Sequence, residues 1–202
     1  MPKNTNKKKA YHHGDLRAVL VQTAREIVES KGPSEVTLRG VAEAAGVSRA
    51  APYHHFADKQ TLLAAISAQG FRELANSMTA KIHPTDPPRT QLDQLGYGYI
   101  KYGLTHPDLF RLMQGADFQI SGVYPDLDEA RGQSAAPLFD AVTACLPGKS
   151  NAEIMTACAA AWSIVHGMTM LSNDGRLQTL IPIDDLESTA KSITQQLTLL
   201  RL

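Results

Sequence analysis

The chain has 202 residues, 43% hydrophobic and 20% charged, an ordinary globular composition with enough apolar side chains to bury a core as one unit or as a small head on a larger body. Its 20 basic and 20 acidic side chains cancel, so net charge names no partner. The only cysteines, Cys145 and Cys158, lack CxxC spacing, which supports neither a disulfide framework nor a zinc site. No uninterrupted apolar run approaches ~18 residues, so no membrane span and no membrane partner is expected. Met1 to Lys9 is basic without the apolar stretch of a signal peptide. A cytoplasmic location with reduced thiols is the expectation.

Charge is unevenly placed. Residues 1–60 carry Lys3, Lys7, Lys8, Lys9, Arg17, Arg25, Lys31, Arg39, Arg49 and Lys59 against Asp15, Glu26, Glu29, Glu35, Glu43 and Asp58. The remainder is correspondingly acidic, so polyanion binding is expected at one end only.

Helical periodicity dominates, and an all-α fold of about nine helices is expected. Leu16, Leu20, Ala24 and Ile27 recur at three- and four-residue steps. Asp15 is placed to cap that helix, and Gly32-Pro33 to stop it. A short helix follows Thr37, and Ser48 opens another. Asp58 caps a longer one reaching Ile82, before the breakers Pro84, Pro87 and Pro88. Leu92 to Tyr102 lie on a helix ending at His106-Pro107, and Leu109 to Gln114 form one or two turns. Residues 115–125 read as loop and Leu127 to Leu146 as helix. Ala152 to Leu171 and Leu186 to Leu200 are the last two helices, separated by an irregular stretch with Asn173, Gly175 and Pro182.

The segment Thr37 to Lys59 has the physics of a helix-turn-helix. Ala42 is small where two short helices cross, and Gly46 tolerates the positive φ of a sharp turn. Val41, Ala45 and Val47 supply a small apolar cluster, and Ser48 is expected to cap the second helix. That helix would expose Arg49, Ala50, Tyr53 and His54: a long cation, a methyl for thymine contact and an aromatic hydroxyl for phosphate. Thr37 and Lys59 lie at starts of flanking helices, where free N–H groups meet phosphates. His55 and Phe56 are read as packing residues. Adjacent pairs such as His12-His13 and His54-His55 do not point one way on a helix, so no metal is expected. With no catalytic constellation in view, neither an enzyme nor a cofactor is expected.

The stretch Ala45-Gly46-Val47-Ser48 followed by Tyr53-His54-His55-Phe56-Ala57-Asp58-Lys59 resembles the DNA-binding head of TetR-family regulators, over roughly residues 12–66. Pro52 departs from the pattern, standing where a large aliphatic residue is commonest. Trp162, His166 and Gly167, with His106-Pro107 and Leu109-Phe110 earlier, resemble the effector domain called WHG. The resemblance implies a basic arm over 1–11, a helix-turn-helix domain over 12–58 and an effector-binding and dimerisation domain over 59–202. It implies a homodimeric regulator, by family habit a repressor, that binds a palindromic operator in double-stranded DNA and is released by a small, mostly apolar effector. A ligand-independent regulator of the same fold is the alternative, and it would have a body packed solid. Thr37, Ser48, Arg49, Ala50, Tyr53, His54 and Lys59 are the candidate DNA contacts. Tyr99, Tyr102, Phe110, Met113, Phe139, Trp162 and His166 are the candidate effector contacts. Dimerisation is expected through helices 152–171 and 186–200, using the small residues Ala157 to Ala161 and the stripe Ala190, Ile193, Leu197 and Leu200, as a four-helix bundle.

Overall fold

The computed structural model describes residues 16–115, 118, 120–180 and 185–196. Among them are nine α-helices and no strand. Asp15, the basic arm, Pro182 and residues 197–202 lie outside the described residues, so the expectations placed on them, Leu197 and Leu200 included, are not addressed.

Helix α1 (Leu16–Lys31) turns Leu20, Val21, Ala24 and Val28 inward and stops at Gly32, whose φ of 86° is open to glycine at little cost. Helix α2 (Leu38–Ala44) begins at Thr37, whose hydroxyl accepts from the Gly40 amide at 3.0 Å. Helix α3 (Lys59–Thr79) begins at Asp58, whose carboxylate accepts from the Thr61 amide at 2.7 Å and from its hydroxyl at 2.8 Å. These bonds hold the Asp58 carboxyl below its ordinary pKa. The helix stops three residues short of Ile82.

Helix α4 (Pro88–Thr105) and α5 (Pro107–Gln114) meet at His106. Helices α6 (Pro125–Cys145) and α7 (Asn151–Asn173) follow, the latter opened by a reciprocal capping box between Ser150 and Glu153. The stretch expected to be irregular contains a five-residue helix, α8 (Arg176–Leu180), before α9 (Leu186–Gln196).

Helix α3 ties the two halves together. It packs against α1 on one side and against α4, α5 and α6 of the body. A polar cluster reinforces the junction. Arg25 pairs with Glu73 of α3 and with Glu29 at 3.3 Å, while His106 Nδ1 lies 2.8 Å from Glu29. Tyr102 Oη donates to Glu73 at 3.3 Å. Near the middle of α4, Tyr97 donates to Glu187 at 2.8 Å, docking α9.

Helix α9 buries Ala190 and Thr194 and packs chiefly on α4. Ala190 therefore serves the core of this chain rather than a partner, a correction to the dimer stripe expected from periodicity. The face α9 leaves exposed, Glu187, Ser188, Lys191 and Ser192, is polar.

Candidate DNA-contacting surface and body cavity

The turn after α2 forms as its sequence predicts: Ala42 is fully buried and Gly46 sits at φ 68°. The recognition segment differs. It is a four-residue 3-10 turn, Ala51–His54, with no side-chain cap. Ser48 contributes its carbonyl, which accepts from the Ala51 amide at 3.0 Å, instead of the expected hydroxyl cap. The reason is Pro52, which has no N–H to give to the Ser48 carbonyl and so removes the first α-type bond. Three-residue bonds take over, Tyr53 to Ala50 and His55 to Pro52.

Pro52 and Phe56 are buried beneath this turn, with Phe56 only 1% exposed. Arg17 caps the other side of the Phe56 ring at 5.4 Å. Above them Ser48, Arg49, Ala50, Tyr53 and His54 all face outward, and Tyr53 is 52% exposed. His55, expected to pack, is exposed instead. Thr37 is exposed at the head of α2. Lys59 is half-buried and donates to the Ser34 carbonyl at 2.9 Å, so its ammonium is held near the first turn of α3. Arg39, exposed in the first turn of α2, adds a cation that the motif did not single out; its place after the Thr37 cap was the available signal.

The body holds a half-open cavity of about 500 Å³ between α3, α4, α5, α6 and α7. Of the candidate effector contacts, Tyr99, Met113, Phe139, Trp162 and His166 line it. Tyr102 and Phe110 do not: Tyr102 turns to Glu73, and Phe110 is fully buried with its ring against Tyr99 and His166. The cavity also takes residues that sequence reasoning passed over, notably Arg131, Leu138 and Met155.

Its polar centre is a three-residue relay. Trp162 Nε1 donates to Tyr99 Oη at 3.0 Å, and Tyr99 Oη lies 2.9 Å from His166 Nδ1. The indole can only donate, so the phenol oxygen accepts from it, and the direction of the bond between Tyr99 Oη and His166 Nδ1 follows the imidazole tautomer. Burial raises the Tyr99 pKa well above its ordinary value, offset in part by the Trp162 bond. Burial also lowers the His166 pKa below 6.5. Both groups stay neutral near pH 7.

Because the folded His166 pKa is depressed, the unfolded chain takes up the proton first as pH falls. The stability tied to neutral His166 is therefore complete above about pH 6.5 and is lost as pH drops through that value. Thermal melts across this range should fall in the natural chain and flatten in His166→Gln. Parallel slopes in the two proteins would reject the assignment.

Helix α7 is unusual in its outer face. Its mean hydropathy reaches 1.4 over an 18-residue window, of which only 33% is buried. By length and composition it would suffice to cross a membrane, although polar residues interrupt its apolar stretch. Its inner side packs on α4 and α6 through Ala157, Cys158, Ala161 and Val165; Met155 and Trp162 are half-exposed where they line the cavity, and Leu171 is exposed on the outer face.

Two family models match the chain. Residues 92–196 match the tetracyclin repressor-like C-terminal domain, and residues 20–66 match the tetR family of bacterial regulatory proteins. The HTH-type transcriptional regulator BetI of Brucella anthropi is 33% identical over 76 residues, which span 38% of this chain and 39% of that one; the match thus covers well under half of the relative. A solved protein of unknown function from Rhodococcus sp. RHA1 superposes with a TM-score of 0.75 at 29% identity, over 94% of this chain and 98% of that one. PfmR, a TetR-family regulator of Thermus thermophilus, shares the fold with a TM-score of 0.62 at 19% identity, covering 88% and 96%. With a matched head carrying the exposed turn and a matched body carrying the cavity, the chain belongs to the TetR family of DNA-binding transcription regulators.

Proposed function

We propose that the chain is a ligand-released repressor, working as a homodimer on a palindromic operator. Two recognition turns about 34–36 Å apart enter successive major grooves of the duplex. A small, mostly apolar effector occupying the body favours a spacing of the heads that no longer fits DNA. The observation that carries this reading is the cavity of about 500 Å³, a volume that suits a small organic ligand. It favours release by effector over the ligand-independent alternative, whose body would be solid. The junction built from Arg25, Glu29, Glu73, Tyr102 and His106 offers a physical link from cavity wall to head. An arm over 1–11, a head over 12–58 and a body from 59 to 202 remain the proposed division, with α3 beginning at the head–body boundary. A cytoplasmic location suits this role.

The homodimer is supported by the outer face of α7. Thr156, Ala159, Ser163 and Leu171 are exposed along it, and a methyl group at Gly167 would meet nothing within 4 Å. Small residues on an apolar helix let a second copy approach closely.

The DNA reading is tested at the recognition turn. Arg49→Ala and Tyr53→Phe should each weaken operator binding by about 1–3 kcal/mol while fold and dimer persist. The measurement is fluorescence anisotropy on an operator selected from random DNA. Natural affinity in both variants would remove this surface from the DNA contact.

A further inference from the structure

The cavity is polar at one end only. Phe110 places its ring 5.4 Å from Tyr99 and 5.9 Å from His166. Met113, about one turn further along α5, packs directly over Gly70 of α3. The next residue, Phe71, carries the Arg131 guanidinium 5.4 Å over its ring. Tyr99, His166 and Arg131 are thereby gathered at the α5 end, the end nearest the DNA-binding head. Met78, Leu92, Leu138, Phe139 and Met155 line the cavity elsewhere and offer a ligand no strong hydrogen-bonding group.

The polar end offers positive character and donors. No aspartate or glutamate lines the cavity among the described residues, and Arg131 is its one lining side chain with a permanent charge. Arg131 donates to the Phe118 carbonyl at 3.0 Å and reaches Asp128 only at 3.4 Å, longer than a good charge-assisted bond. A guanidinium has five N–H donors, so several remain after these two bonds. His166, bonded through Nδ1 to Tyr99, brings its second ring nitrogen, Nε2, as a further polar atom. The span from Arg131 to Phe139 along α6 is eight residues, about 12 Å of helical rise.

On the reading of the body as an effector domain, we propose that the effector is an unbranched amphiphile with one carboxylate head and an apolar tail. The head lies at the α5 end, on Arg131 and within reach of His166, and the tail runs along Leu138 and Phe139 toward Met155. A cationic head is disfavoured at the same place, where it would face a guanidinium with no carboxylate in the wall among the described residues.

Decanoate, decan-1-ol and decylammonium share one chain length and differ in the charge of the head. Each is titrated into the full-length protein by calorimetry near neutral pH, with and without operator DNA. Decanoate should bind at least about tenfold more tightly than decylammonium and be weakened by DNA. Arg131→Gln should cut decanoate affinity by about tenfold yet leave decan-1-ol within about threefold, which shows that the cavity itself persists. Arg131→Lys should restore part of the decanoate preference. If decylammonium or decan-1-ol binds as well as decanoate and is weakened by DNA, the carboxylate assignment fails while the effector reading stands. If none of the three binds, the amphiphile assignment fails.

Discussion

Gly98→Ala is expected to destabilise the protein by about 3 kcal/mol, at the upper end of what overpacking costs. Gly98 lies where α4 crosses α3. A methyl group there would sit 2.4 Å from the Ser77 carbonyl oxygen and 2.6 Å from Met78 Cα. Both are backbone atoms, which cannot swing aside as a side-chain tip does. The two helices are further pinned by the Ser77 hydroxyl, which donates to the Gly98 carbonyl at 3.0 Å. Forcing them apart also moves Met78, a wall of the cavity. Gly132 is the control. It is inside α6 and exposed, with nothing within 4 Å of an added methyl, so Gly132→Ala should gain up to about 1 kcal/mol from helix propensity alone. Chemical denaturation of the two variants beside the natural chain makes the comparison. A Gly98→Ala protein within about 1 kcal/mol of the natural one would mean that the crossing has slack and that its packing does not shape the cavity.

The second large effect concerns assembly. Ser163→Glu should convert the proposed dimer to monomer and weaken operator binding by about 100-fold or more, because each half-site then binds without the effective concentration its partner supplied. Ser163 is exposed near the middle of the outer face of α7, and its hydroxyl donates only to the Ala159 carbonyl one turn back, at 2.7 Å. Little inside the chain depends on it, so circular dichroism and thermal unfolding should show a folded protein. A carboxylate placed in a closely packed apolar seam, opposite its own symmetry mate, loses water without gaining a partner. Sedimentation reads the assembly, and anisotropy reads the DNA. A variant that stays dimeric and binds operator normally would move the interface away from α7. The polar outer face of α9 could then serve only alongside another surface.

The head was legible in the sequence because its determinants are local. Thr37 and Asp58 cap the helices that follow them. Gly46 takes the positive φ its turn requires, and Ala42 is small at a crossing where it is fully buried. These are relations between residues a few positions apart, and chain spacing carries them. Even there, one residue overrode the expectation: Pro52 made the recognition segment a 3-10 turn, since the missing N–H acts on the bond pattern before tertiary packing enters.

What only the tertiary structure decided is which neighbour each apolar face meets. Tyr99 and Tyr102 are three positions apart, about 60° around α4, and periodicity gives them the same face. One lines the cavity within the relay to Trp162 and His166, while the other turns to Glu73 at the junction with the head. Arg131 is silent in the sequence, because its value depends on Phe71, 60 positions earlier, and on a wall with no carboxylate among the described residues. Ala190 reads as an interface residue by its stripe and is spent against the core of its own chain. A helical period fixes the direction in which a side chain points; the burial and chemistry it finds there come from elements distant in sequence, and those exist only once the helices have packed.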